Sequence, residues 1–281
     1  MSSNKTVSVI VPFYHGNKYI EKLLDVLYKN RINLARINVA CEIILVNDSP
    51  DTQISVARKE LLENVTIINN PVNQGIHQSR VNGLNAARGN YVLFLDQDDL
   101  ITEDCLSSQI KAIGENDYVI ANGFKTDSKD KYVLYKDMKS HKKCLKSLYF
   151  YFYTCPIISP GLVLIKKEAI PDEWKENILK HNGSDDYYLW LLMLENKAKG
   201  TINPDYVYIH VFTGQNTSLD PIYMRESTSE VLDLLKDKIT GWKRFCIKRR
   251  TDYFCNKPNT LFAKIRFLDV CILRFLFGRV F

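Results

Sequence analysis

The apolar run Tyr91-Val92-Leu93-Phe94-Leu95 stops abruptly at Asp96-Gln97-Asp98-Asp99, and that junction constrains the fold more than any other stretch. Five consecutive apolar residues fit a strand buried on both faces. Three acids directly after it put like charges at the mouth of a sheet, where they repel one another. A cation between them relieves the repulsion, because hard divalent ions take oxygen ligands from carboxylates and from substrate phosphates. Two earlier runs end in the same manner. Val7-Ser8-Val9-Ile10-Val11-Pro12-Phe13-Tyr14 reads as a strand entering a loop, and Cys41-Glu42-Ile43-Ile44-Leu45-Val46-Asn47-Asp48 as a strand ending in an acid. Three such strands, spaced to leave room for helices, describe an open α/β sheet with a site at the carboxyl ends of its strands.

The connecting segments agree with that plan. Tyr19-Ile20, Leu23-Leu24 and Leu27-Tyr28 recur at helical spacing and predict an amphipathic helix between the first two strands. Ile54 to Leu62 reads as a second, shorter helix and Val65-Thr66-Ile67-Ile68 as a strand. Asn69 to Gly75 is a turn-rich loop, feeding a helix from about His77 to Ala87 that Gly89 closes. Alternating strands and helices imply a mostly parallel sheet with right-handed crossovers and helices on both faces. Further on, Tyr118-Val119-Ile120 and Tyr132-Val133-Leu134-Tyr135 read as strands of a hairpin. The aromatic block Leu148 to Tyr153 follows, then an Ile158 to Ile165 run broken by Pro160-Gly161.

The motif series Val9-Ile10-Val11-Pro12-Phe13-Tyr14, Ile44-Leu45-Val46-Asn47-Asp48-Ser49, Asn73-Gln74-Gly75 with Arg80, Ala87-Arg88-Gly89 and Leu95-Asp96-Gln97-Asp98-Asp99 resembles, in order and spacing, the GT-A fold glycosyltransferases of family 2. The resemblance is dense from about Thr6 to Asp104 and patchy to about Ser218. It implies a nucleotide-sugar donor, UDP-linked, and a divalent metal, Mn²⁺ or Mg²⁺. By that resemblance Asp96 contacts the ribose and Asp48 accepts from a uracil N–H, while main-chain groups of Pro12 and Phe13, with Tyr14 nearby, complete the nucleotide pocket. Asp98, with Asp99, holds the metal that bridges the donor diphosphate. Arg80 pairs with the acids or reaches the nucleotide, and Gln97 fills a variable position. Each has a plainer alternative: a helix cap at Asp98 or Asp99, a turn residue at Asp48 and a solvated helix charge at Arg80. The loop Asn47-Asp48-Ser49-Pro50 lacks the glycine that many relatives carry.

Asp185-Asp186 opens the aromatic-rich stretch Asp185 to Leu192 and resembles the family's acidic pair. Asp186 is then the base that deprotonates the acceptor hydroxyl, beside Asp185, in a transfer that inverts the anomeric carbon. Helix capping by Ser184 with both acids favouring the helix dipole explains the same residues more plainly. His77, His181 and His210 are read as hydrogen-bonded structural histidines.

Composition adds the compartment and the partners. Of the 281 residues 46% are hydrophobic and 25% charged, ordinary for a globular protein, and no secretory leader is visible. Seven scattered cysteines without a C-x-x-C pair suggest reduced thiols. The net charge of +6 is asymmetric: from Gly241 onward ten Lys/Arg face two Asp, so the tail carries +8 and the remainder is near −2. That excludes a uniform nucleic-acid surface and suggests a tail seated on an anionic membrane, with a helical pair packed on the domain or on a second subunit as the rival. No stretch of the tail reaches the ~20 apolar residues of a spanning helix. The division expected is 1–104 for the nucleotide-sugar half, 105–218 for the acceptor half and 219–281 for the basic, apolar tail. A cytoplasmic enzyme peripheral on the inner membrane face follows, with a glycan or polyisoprenyl-linked acceptor. A catalytically degenerate scaffold subunit is the alternative. A nucleotidyltransferase lacks its glycine- and lysine-bearing loop after the first strand, and a dehydrogenase its G-x-G-x-x-G.

Overall fold

The computed structural model describes residues 5–126, 130–153, 155–214, 220–256 and 265–277. Strand β1 (Thr6–Phe13) is central, and seven of its eight residues are buried, as its unbroken apolar run requires. Parallel strands flank it: β2 (Ala40–Asn47) with β3 (Val65–Asn69) on one side, and β4 (Tyr91–Phe94) on the other. The chain therefore winds outward from β1 in one direction, then returns to its opposite side. This reversal opens a crevice beyond the carboxyl ends of β1 and β4.

Helix α1 (Asn17–Ala35) buries Ile20, Leu23, Leu24, Leu27 and Leu34, the stripe expected from its spacing. Helix α2 (Gly75–Ala86) lies against β1 and β2. No helix forms across 54–58; only a 3₁₀ turn at Lys59–Leu62 appears. Side chains of α1 compete for that backbone: Asn17 binds the Gln53 carbonyl and the Ser55 N–H, and Glu21 accepts from Ala57 N–H. With those groups engaged elsewhere, an i to i−4 ladder cannot nucleate there.

Beyond β4 the sheet becomes mixed. The two-residue β5 (Leu100–Ile101) precedes α3 (Cys105–Ile113), so the helix starts later than the acids and neither Asp98 nor Asp99 caps it. Strands β6 (Tyr118–Thr126) and β7 (Lys131–Val133) form the expected antiparallel pair. After the short helix α4 (Met138–His141) and a π-helical turn at Tyr149–Tyr153, β8 (Val163–Lys166) inserts antiparallel between β4 and β6. Helices α5 (Asp172–Glu176) and α6 (Asp185–Glu195) lead to β9 (Gly200–Val211), which pairs parallel with β6 and antiparallel with β5. The order is β3-β2-β1-β4-β8-β6-β9-β5, with β7 on β6.

Among the described residues that follow, three helices are α7 (Pro221–Leu234), α8 (Gly241–Asn256) and α9 (Leu268–Phe277). Val231, Leu232, Leu235, Ile239 and Ile247 join the same core as the sheet. Helix α8 grips the aromatic turn: Arg250 donates to the Phe150 carbonyl at 2.7 Å and to the Tyr187 hydroxyl at 3.2 Å, and Trp242 stacks on Phe152 at 5.0 Å. Lys243 binds both oxygens of Glu195, at 2.8 and 3.0 Å.

Where β6 crosses β9, Gly123 lies so close to β9 that a Cβ would collide with the Tyr208 carbonyl oxygen. Backbone cannot yield as a flexible side chain can. Gly123→Ala is expected to cost about 1–3 kcal/mol of stability, read as a lower urea midpoint at unchanged slope.

Candidate active site

At the end of β1 the chain turns through Tyr14 and His15, and the side chain of Gln97 fixes this turn. Its Oε1 accepts from Tyr14 N–H at 3.0 Å and its Nε2 donates to the Tyr14 carbonyl at 2.9 Å. Gln97 thus pairs with both main-chain groups of one residue, as a neighbouring strand would. Gly16 makes room for it, since a Cβ there would overlap the Gln97 amide. In this chain the residue at the position read as variable is a structural pin.

Asp48 follows β2 and is buried. Its Oδ1 accepts from Asn70 Nδ2 at 2.8 Å and from Gln74 N–H at 2.7 Å, and its Oδ2 accepts from Gly75 N–H at 2.8 Å. One carboxylate so shapes the whole Asn73-Gln74-Gly75 loop while still facing the cavity. Gly75 adopts φ +84°, left-handed backbone that suits glycine, and it packs against Asn182.

Arg80, on α2, is almost fully buried, with 4% of its side chain exposed. Its Nη2 meets Asp96 Oδ1 at 2.5 Å and its Nη1 meets Asp185 Oδ2 at 2.5 Å. The guanidinium therefore ties the end of β4 to the start of α6. Burial works against its charge, but Asp185 and Asp96 more than compensate and hold its pKa above the ordinary arginine value. The reading of Arg80 as a partner of the acids is the geometry found; the solvated helix charge is not. Ser184 sits at the N-cap of α6, yet its hydroxyl contacts Thr228 and caps nothing.

One cavity of about 720 Å³ gathers Pro12, Phe13, Tyr14, Asp48, Arg80, Asp96, Asp98, Asp185 and Asp186. Gln97, Ser159, Asn182, Gly183 and His210 also line it. Asp99, expected beside Asp98 as a metal ligand, does not. It is 1% exposed, with Oδ1 accepting from Val211 N–H at 3.0 Å and paired with His210 Nδ1 at 3.0 Å. Its Oδ2 accepts from Ser159 at 3.2 Å and from the Tyr208 hydroxyl. Both oxygens are spent holding β9 and the Ser159 turn to the acidic loop. His210 is hydrogen-bonded, as expected of it, but its ring also faces the cavity. Burial alone would lower its pKa; the Asp99 hydrogen bond and the surrounding acids raise it. His77 is fully internal, bonded to the Trp174 carbonyl and the Leu179 N–H.

The crowded acids resist ionising. Burial, then Asp99 and Asp96, push Asp98 up to about 6. Burial, then Asp185, push Asp186 to about 7, against the opposing pull of Arg80. Burial also raises Asp96, although Arg80 offsets part of it. Among the described residues no three His, Cys, Asp or Glu side chains converge as a protein-only metal cage would require. Asp98 nonetheless fits a hard divalent cation. It is a carboxylate facing the cavity in a field of like charges, and Mg²⁺-type sites commonly use one or two carboxylates plus substrate phosphates.

An acid-lined crevice at the switch point of such a sheet, closed by antiparallel β8 and parallel β9, defines a GT-A fold. The chain belongs to the family described as glycosyl transferase family 2, whose model matches residues 8–174. It is 26% identical over 231 residues to an uncharacterized glycosyltransferase of Rickettsia felis, covering 76% of this chain and 34% of that protein. The chain thus spans about a third of the length of that curated relative. Among solved structures, S. aureus TarS (residues 1–349) in complex with UDP superposes with TM-score 0.63 at 18% identity, covering 94% of this chain and 78% of that one. The mannosyltransferase PcManGT from Pyrobaculum calidifontis, in complex with GDP-Man and Mn²⁺, gives TM-score 0.64 at 17% identity, covering 99% and 77%. At such identities the shared property is the fold.

Removing the guanidinium strands Asp185 in the interior. Arg80→Met is expected to lose about 3–5 kcal/mol of stability, the usual cost of an uncompensated buried charge. Adding Asp185→Asn should restore a measurable part of it in the same denaturant titration.

Proposed function

We propose that the chain is an inverting glycosyltransferase that moves a sugar from a UDP-linked donor to a hydroxyl of a glycan or polyisoprenyl-linked oligosaccharide. The observation carrying this reading is the convergence of Asp96 and Asp98, from the loop that follows β4, with Asp185 and Asp186, at the start of α6, on one cavity, clamped by Arg80. Family membership and the UDP complex of TarS support the donor class.

In this reading Asp48 accepts from the base, the turn at Pro12, Phe13 and Tyr14 frames the nucleotide, and Asp96 takes the ribose. Bound at Asp98, a divalent cation, Mn²⁺ or Mg²⁺, supplies neutralisation of the negative charge on the departing nucleoside diphosphate. Asp186 accepts the proton of the acceptor hydroxyl while that oxygen bonds to the anomeric carbon on the face opposite the diphosphate. The configuration there inverts. Arg80 anchors Asp185 beside it, and burial together with the neighbouring Asp185 raises Asp186 toward the range a general base needs.

Calorimetric titration with UDP tests the donor half. Binding is expected with Mn²⁺ or Mg²⁺, weaker with EDTA, and Asp98→Ala should abolish the metal dependence. Metal-independent binding in both proteins would refute the role of Asp98. Absence of UDP binding together with absence of transfer from UDP-sugars would favour the degenerate scaffold.

The base is tested by kinetics. Asp186→Asn should lower kcat by about 10²–10⁴-fold with UDP affinity essentially unchanged. Asp186 must be deprotonated to act, and its pKa is raised to about 7. For the wild type kcat/KM should therefore climb with unit slope below pH 7 and level off above it. A flat profile from pH 5.5 to 8 would remove Asp186 from the role.

A further inference from the structure

Much of the tail's positive charge is spent within the protein. Arg250 is buried against Phe150 and Tyr187, Lys243 pairs with Glu195, Arg244 with Asp233, and Arg249 with Asp269. These contacts make α8 and α9 fixed parts of the domain. Outward they present large apolar side chains, with Lys248 and Arg266 exposed as well. On α9, Leu268, Ile272, Phe275 and Leu276 follow the i, i+4, i+7, i+8 spacing of one helical face. They are 55%, 49%, 86% and 69% exposed, whereas Val270, on the other side of the helix, is 3% exposed. Phe245 on α8 adds another large apolar side chain at 61% exposure. So many large apolar residues left in water together mark an interaction surface.

We propose that the outer face of α8 and α9 docks on an anionic phospholipid bilayer, lying in the headgroup boundary without crossing it. Helix α9 has 10 residues, so it is about 15 Å long, half of a ~30 Å hydrocarbon core. No described helix is long and apolar enough to span. Charge selects the partner. Exposed Lys248 and Arg266 pair with no acid among the described residues, and Asp269 beside the stripe is neutralised by Arg249. In sequence the tail from Gly241 carries ten Lys/Arg against two Asp. A second copy seated on this face by two-fold symmetry would bring two such basic surfaces together, whereas an anionic headgroup layer attracts each basic residue. Leu, Ile and Phe then enter the acyl boundary while the basic side chains reach the headgroups. This inference is independent of the transferase chemistry.

Flotation of the full chain with vesicles tests it. Wild type is expected to float with phosphatidylcholine vesicles enriched in phosphatidylglycerol, to float poorly with phosphatidylcholine alone, and to be released by high salt. Phe275→Glu with Leu276→Glu should reduce partitioning more than 10-fold. Lys248→Glu with Arg266→Glu should reduce it by at least about 30-fold, from about 1 kcal/mol per basic residue. Both double variants change only exposed side chains and should keep the wild-type circular dichroism spectrum and melting temperature. Wild type that ignores anionic vesicles, or variants that bind them equally well, overturns the proposal. So does a dimer seen by light scattering that the Phe275/Leu276 variant dissolves while vesicle binding is absent.

Discussion

The buried guanidinium of Arg80 is the contact on which the rest of the site depends. It joins an acid 16 residues away with another 105 residues away, so three separate stretches of chain meet at one positive charge. Burying an arginine carries a large desolvation cost, and only two well-placed carboxylates offset it. Reciprocally, five aspartates line this cavity, and without Arg80 their mutual repulsion would oppose the fold. The arrangement leaves the pocket rich in negative charge. Burial first, and then this negative charge, make Asp98 and Asp186 hold their protons more tightly than isolated carboxyls do.

Around that contact, irregular backbone is held by side chains instead of ladders. Gln97 brackets Tyr14, Asp48 gathers the Gln74 and Gly75 amides, Asn17 and Glu21 capture the 53–57 segment, and Asp99 ties Val211 and Tyr208 to the acidic loop. Each satisfies main-chain groups that a loop would otherwise leave without partners. The crevice walls are thereby fixed by bonds reaching across the strand ends, and the cavity is largely formed before any ligand enters.

The closing helices use basic residues in two ways. Arg250 bridges the aromatic turn to Tyr187, whose own N–H donates to Asp186 at 2.6 Å. The tail is thus physically continuous with the helix that carries the acidic pair. The remaining charge, with the apolar stripe of α9, faces outward. Formal charge in the sequence could not separate these uses, because a lysine acting as a strut and one awaiting a headgroup look alike until their neighbours are known.

By itself the sequence determined the parallel half of the sheet, the helices α1 and α2, and the motif residues Asp48, Arg80, Asp96, Asp98, Asp185 and Asp186. The strands, the helices and the acids at strand ends rest on local signals, namely apolar runs and helical periodicity, whereas Arg80, Asp185 and Asp186 stood out through the family resemblance. Tertiary structure alone decided which acids share Arg80, that Asp99 turns inward, and that Gln97 pins the first loop. It also decided that β8 enters antiparallel between β4 and β6, and that 54–58 stays out of a helix. A four-residue apolar strand carries no mark of direction. Likewise a carboxylate carries no mark of whether it will face a cavity or four internal donors. Such outcomes are set by partners distant in sequence, whose hydrogen bonds and burial exist only once the chain has folded.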